Sequence, residues 1–242
     1  AKISLYNGTV WKLYSFSEIS LALGTLTSGA NYDVFLYDNS GTLTLELSTA
    51  WTNDTTRANA ISLQDGTYVK NTATTRRYLG TIRTTSTTTT EDSFARRLVW
   101  NQCNQVRRLM VGRLSTTSWS YGSASAWRST NANTTDGQAR VAFVVGLASE
   151  FEAEATSMAD ASANWSPVQS LALDAPSTET STARHQPNIA SVRHWLPATL
   201  HYNVGIGYHY LQTIEINVGG GSTSPVYYGQ SVFHSVTAQI RG

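Results

Sequence analysis

Short runs in which apolar and polar residues alternate recur along this chain, and residue pairs that reverse the backbone separate them. KISLY and TVWKLYSF flank Asn7-Gly8, NYDVFLYD and TLTLELS flank Asp38-Asn39-Ser40-Gly41, and ISLQ and TYVK flank Asp65-Gly66. Asn-Gly and Asp-Gly tolerate the positive φ that a two-residue hairpin loop requires, and alternation at a period of two fits strands rather than helices. In the second run, Tyr32, Val34 and Leu36 alternate with Asp33, Phe35 and Tyr37, so both faces are partly apolar and the strand is expected to be central. Its partner sets Leu43, Leu45 and Leu47 inward. No stretch carries a convincing amphipathic helical period over ten or more residues.

The second half continues the pattern with longer strands. Ala139 to Leu147 is a nearly continuous apolar run, as expected of a strand buried on both faces. The next strand alternates strictly, with Glu150, Glu152 and Glu154 on one face and Phe151, Ala153 and Ala155 on the other. A loop is expected from Ala159 to Pro167, then the strand VQSLAL, a Ser/Thr/Pro loop from Asp174 to Pro187, and two strands flanking Pro197. Gly207 to Val218 and the closing SVFHSVTAQI complete the set. The fold class predicted is all-β: an antiparallel β-sandwich with jelly-roll topology in the C-terminal half, preceded by a β-meander domain. The Ser/Gly/Ala-rich stretch after residue 112 suggests a division into 1–112 and 113–242.

Between residues 78 and 108 the character of the chain changes most sharply. A β-branched strand ends in the polar tract Thr84 to Thr90, after which Phe94 and the arginines Arg96, Arg97, Arg107 and Arg108 surround Leu98, Val99 and Trp100. Glu91-Asp92-Ser93 has the composition of a helix start, but the sequence that follows favours strand. A run of polar residues cannot offset its ordering entropy by burial, so the tract is expected to face solvent and to order against a neighbouring chain. Arg96 or Arg97 is expected to pair with Glu91 or Asp92. The candidate contact residues are Thr84, Thr90, Arg96, Arg97 and Trp100.

Composition narrows the functional classes. Only 14% of the residues are charged, against ~25% in ordinary globular chains, and the formal net charge is +1. Such a surface lacks the basic field through which nucleic-acid binders displace counterions, so nucleic acid is not an expected partner. The single Cys103 has no partner for an internal disulfide and is expected to be buried and inert. No apolar run reaches the ~18 residues of a membrane span, and no secretion signal is apparent.

Catalytic equipment is not visible. No nucleophile elbow, phosphate loop or zinc-protease motif occurs, and His185, His194, His201, His209 and His234 lack short metal-ligand spacing. His209 would be presented three times around the axis of a trimer, yet an ordinary half-buried strand histidine is the default reading. The three glutamates read as a solvated face, and Asp33, Asp38, Asp54 and Asp65 as turn residues bonding the local backbone. Trp119, Tyr121, Trp127 and Trp165 stand in polar surroundings, where aromatics either stack on sugar rings or turn into the core. They are the candidate glycan contacts. No catalytic, cofactor-binding or metal residue is assigned.

Tyr78, Glu91, Asp92, Ser93, Arg97, Trp100 and Asn101, together with KISLYNG, YDVFLYDNSGTLTLE and LQDGTYVK upstream, resemble a family of tailed-bacteriophage virion proteins of the tail-fibre, spike or head-decoration kind. The likeness covers residues 2 to 111, with GYHYLQTIE and QSVFHSVTAQIRG as later matches. Where the family has an aromatic pair, this chain has Gln102 and Cys103. The resemblance implies a non-enzymatic structural protein of the virion. Its partners would be copies of itself, as a homotrimer, other virion proteins and a host-surface glycan, with no cofactor. A lectin-like carbohydrate-binding adhesin is the alternative, and a polysaccharide depolymerase the third.

Overall fold

The computed structural model describes residues 1–161, 165–187, 192–220 and 224–242. Its first hairpin joins β1 (Lys2–Tyr6) to β2 (Trp11–Ser15) through Asn7-Gly8, as the turn chemistry predicts. Next come β3 (Asn31–Asn39), β4 (Thr42–Leu47), β5 (Ile61–Gln64), β6 (Thr67–Lys70) and β7 (Ala73–Arg83). Ser40 and Gly41 between β3 and β4 both have positive φ, as do Asp65 and Gly66 between β5 and β6, which is the geometry that twists a two-residue hairpin correctly. These strands form one sheet in the order β4-β3-β7-β6-β5, and the short β9 (Val99–Asn101) pairs with the second half of β7. As the two-faced pattern predicts, β3 is central. Its Leu36 lies under the first hairpin, and its Phe35 faces the rest of the molecule.

The remaining strands are β8 (Arg96–Arg97), β10 (Arg107–Gly112), β11 (Ser118–Ser120), β12 (Arg128–Ser129), β13 (Arg140–Val145), β14 (Ser149–Asp160), β15 (Trp165–Leu173), β16 (Ala183–Arg184), β17 (Arg193–Val204), β18 (Gly207–Gly219), β19 (Val226–Tyr228) and β20 (Ser235–Arg241). Their pairings are those of a jelly roll. One sheet runs β10-β20-β14-β17, the other β13-β18-β15, and successive long strands cross from sheet to sheet. In an eight-stranded jelly roll the fifth strand would border β15; here the segment after Asp174 takes that place, with the Thr180 and Ser181 N–H groups donating to the Leu171 carbonyl. The core between the sheets gathers Val141, Phe143 and Val145, Phe151 and Ala155, Leu171, Leu200, Leu211, Val236 and Ile240. Among the described residues there is no α-helix, and only a short 3-10 turn at Thr130–Ala132.

Three local expectations are corrected. The loop foreseen from Ala159 to Pro167 is shorter, because β14 runs on to Asp160 and β15 already begins at Trp165. Pro197 does not separate two strands: β17 passes through it. Its carbonyl accepts from the His185 N–H at the β16 edge, so the missing N–H also faces that edge and costs no bond to β14. Cys103 is exposed, since the 102–106 turn carries it out to solvent.

Strand pairing also shows how the two halves of the chain meet. The segment 107–112 is the first strand of the jelly roll, and β8 pairs in parallel with β13. Phe35, Tyr78 and Trp100 pack on Val144 as one buried cluster, and Trp100 Nε1 donates to the Arg241 carbonyl at 2.9 Å. A Cβ on Gly146 would lie 2.2 Å from the Tyr78 hydroxyl oxygen, and one on Gly207 (φ 121°) 2.2 Å from the Asp54 carbonyl oxygen, so the junction requires bare backbone on the jelly-roll side.

Candidate functional site

Of the contact residues and aromatics singled out from sequence, Thr84, Trp100 and Trp165 are buried and the others are half-buried. Thr84 is buried: its hydroxyl donates to the Thr27 carbonyl at 2.7 Å and accepts from Ala30 N–H at 3.1 Å. Thr84 and Thr90 bridge each other across the tract, Thr85 N–H donates to the Thr89 carbonyl, and Leu26 N–H donates to the Thr87 carbonyl. The tract is therefore held within the chain by the 26–30 segment and by its own hydroxyls, while Thr85 and Thr87 to Thr89 face solvent as expected. Trp100 is likewise a core residue, not a surface contact.

Both arginines pair as expected. Arg96 bonds Glu91 at 3.2 Å and Asp136 at 2.7 Å, while Arg97 bonds Asp92 at 3.1 Å and the Leu109 carbonyl. Asp92 also takes Arg108, and Asp136 takes Arg140, so these carboxylates tie the 91–97 stretch to the jelly roll. Asp33, read as a turn residue, is instead fully buried. It accepts Arg57 Nε at 2.9 Å and the Thr81 hydroxyl at 2.7 Å, while Arg57 also donates to the Gly146 carbonyl. Burial pushes the Asp33 carboxyl up, against the pull of Arg57 and Thr81. Nothing local in the sequence marks a partner that lies 24 residues away.

The four candidate aromatics do not converge on an open surface. Trp165 is buried, and Trp119 stacks on Tyr227 at 5.7 Å while its Nε1 donates to Glu215 at 2.7 Å. The rings of Tyr121 and Trp127 are covered by Arg128 and Arg184 respectively. Glu215 is wholly buried between the sheets. Its carboxylate accepts Arg128 Nε and Asn131 N–H besides Trp119, and burial pushes its pKa up despite those bonds. His209 is a strand histidine in the interior, its ring tilted against Phe143 and placed between Asp174 and the Gly205 carbonyl. Among the described residues no group of three or more His, Cys, Asp or Glu side chains is placed to hold a metal ion.

What the molecule does present is the outward face of the sheet β10-β20-β14-β17. Along β14 the outward row is Glu150, Glu152, Glu154, Thr156, Met158 and Asp160; along β17 it is Asn203, His201, Thr199, Pro197, Trp195 and Arg193, each opposite its counterpart in register. Near the six-stranded sheet this face is charged and polar, with a shallow groove of ≈ 330 Å³ lined by Leu109, Glu152, Glu154, Thr199, His201 and Gln239. Arg107 reaches Glu152 at 3.4 Å at its border.

At the far end the same face turns aromatic. Trp195 is 51% exposed, and across the sheet it neighbours Met158 and then Tyr228. Phe233 stands 6.4 Å from both the Trp195 and Tyr228 rings. Asp160 accepts Arg193 Nε at 3.0 Å and the Tyr228 hydroxyl at 2.5 Å, and Arg193 lies over the Tyr228 ring at 4.2 Å. Partial burial pushes the Asp160 carboxyl up, but the Arg193 and Tyr228 hydrogen bonds outweigh it and hold the group below its ordinary value. Sequence reasoning passed over Trp195 because it treated the residues beside Pro197 as strand ends. The outward register of a strand running through the proline was the missing signal. No known protein-family model matches this sequence, and no match is found among curated proteins.

Proposed function

We propose that this chain is a non-enzymatic structural protein of a bacteriophage particle, of the tail-fibre, spike or head-decoration kind, acting through contacts with other particle chains and with the host surface. The observation that carries the reading is the jelly roll, an architecture shared by viral capsid and lectin domains. That warrant is one of fold analogy. It joins the resemblance of residues 2 to 111, whose motif residues Tyr78, Glu91, Asp92, Arg97 and Trp100 support the junction between the two halves. In this reading the chain is a homotrimer displayed on the particle, and no reaction is assigned to it. Electron microscopy of purified particles labelled with antibody against the chain, with sedimentation of the isolated protein at micromolar concentration, tests it. Surface label and a trimeric mass are expected; a monomer missing from particles would overturn the proposal.

The exposed Trp195 patch favours a second reading, a lectin-like carbohydrate-binding adhesin. The two are compatible where a particle protein also meets the host glycan.

A further inference from the structure

The geometry points to a binding site for a neutral polysaccharide on the outward face of β17 and β14, with Trp195 as its stacking platform and the groove beside Thr199 and His201 as its polar continuation. A sugar ring has an apolar face and a rim of hydroxyls, so a protein that recognises it needs an exposed aromatic ring with fixed donors and acceptors alongside. Trp195 supplies the ring. Tyr228, Asp160 and Arg193 supply a rim whose members are already bonded to one another, so little further ordering is needed on binding.

The third aromatic is fixed by backbone. Phe233 follows a turn in which Gln230 and Ser231 both have positive φ, an unfavoured conformation for residues with a side chain, and this turn is held by N–H bonds from Gln230 to Thr116 and from Ser231 to Leu114. A loop so constrained keeps its aromatic in one place beside Trp195.

The outward residues Trp195, Pro197, Thr199 and His201 follow one another at every second position of β17, so the track from the indole to the groove is about 13 Å long at the usual rise of a strand. It is open along its length, which suits an internal stretch of a chain rather than its tip. The charge of this face selects neutral over acidic sugars. Asp160 and Arg193 cancel, and Arg107 offsets Glu152 alone, which leaves Glu154 in the groove and Glu150 beyond it, so a polyanion would meet like charge.

This inference deepens the attachment part of the proposed function but does not depend on the protein being in a particle. Affinity electrophoresis in gels containing dextran, mannan or soluble starch, with alginate as the acidic comparison, tests it on the full chain. The expected result is retardation in at least one neutral gel. Trp195→Ala should raise the apparent Kd about tenfold and Trp195→Phe should retain most of the binding, while Leu13→Ser, on the first hairpin, leaves it unchanged. No retardation in any neutral gel, retardation only in alginate, or retardation indifferent to Trp195→Ala would each overturn the site. Particle labelling is a separate readout, so a chain that sits on particles without binding these glycans fails this inference alone.

Discussion

At the end of the jelly roll that meets the six-stranded sheet, the inward rows read Phe143, Val145, Phe151, Ala153, Leu200 and Leu211, and the outward row reads Glu150, Glu152 and Glu154. At the opposite end the inward rows carry Ser157, Gln169, Thr213, Glu215 and Asn217, all buried, while the outward row carries Met158, Trp195 and Tyr228. Toward that end the same strands thus become more polar inside and more aromatic outside, although Ala159, Leu196 and Tyr227 still form an apolar cluster between the sheets. The first end is an ordinary core under an ordinary solvated surface. The second mixes buried polar groups, of which Ser157 and Gln169 find no hydrogen-bond partner among the described residues, with the Trp119, Trp165 and Tyr227 rings inside, and carries half-exposed aromatics outside. Burying unpaired polar groups while leaving aromatics half-exposed stabilises that end less than the apolar end.

The largest effect should come from the apolar end. Phe143 stacks on Phe151 at 4.8 Å and is fully buried, so Phe143→Ala should cost about 3–5 kcal/mol in urea denaturation. A loss under about 1 kcal/mol would mean that this end is not the stabilising core.

Next in size is a pH effect at the polar end. His234 is buried, with its Nδ1 accepting Leu114 N–H and its Nε2 against the Thr213 hydroxyl, and burial holds its pKa down to about 4. The unfolded chain binds a proton on this residue near pH 6.5 and the folded chain only near pH 4. The contribution of neutral His234 is therefore fully present above the unfolded value and is lost as pH falls through that window, by about 3 kcal/mol in all. Denaturation midpoints between pH 7 and 4 should show this slope, and His234→Asn should flatten it. An unchanged slope in the variant would remove His234 from the account.

A smaller pair of substitutions compares adjacent inward positions on β14. Ala155 lies in the apolar core, so Ala155→Ser should cost about 1–3 kcal/mol. Ser157 is buried and its hydroxyl has no partner among the described residues, so Ser157→Ala should be neutral or stabilising by about 1 kcal/mol. A clear loss on Ser157→Ala would reveal a bridging water between the sheets. The smallest effect on stability is expected at the surface, where Trp195→Ala should stay within about 0.5 kcal/mol in the same denaturation.

What was legible in the sequence was local. Gly8, Ser40-Gly41 and Asp65-Gly66 supply the positive φ of their hairpins, with the Asn7 and Asp38 side chains accepting turn N–H groups, and the Glu150 to Ala155 alternation gives the two faces of β14 directly. Less legible was anything set by distant partners. The Thr84 to Thr90 tract looked unsupported because the segment that holds it lies more than fifty residues upstream. Asp33 resembled its turn-forming neighbours because Arg57 approaches it only in the folded sheet, and Trp119 looked like a surface aromatic because the Glu215 and Tyr227 that hold it lie about a hundred residues away. Trp195 was hidden by Pro197, a residue whose usual strand-breaking effect vanishes at a sheet edge.

The most direct test of the contrast between the two ends is fluorine NMR of the chain labelled with 5-fluorotryptophan, with each signal assigned by single substitution and titrated with oligosaccharide fragments of the neutral polysaccharide that retards the protein. The account predicts that Trp195 shifts and broadens first, with Trp51 and Trp100 at the opposite end unmoved. Perturbation centred on Trp51 or Trp100, or no movement at Trp195, would contradict it.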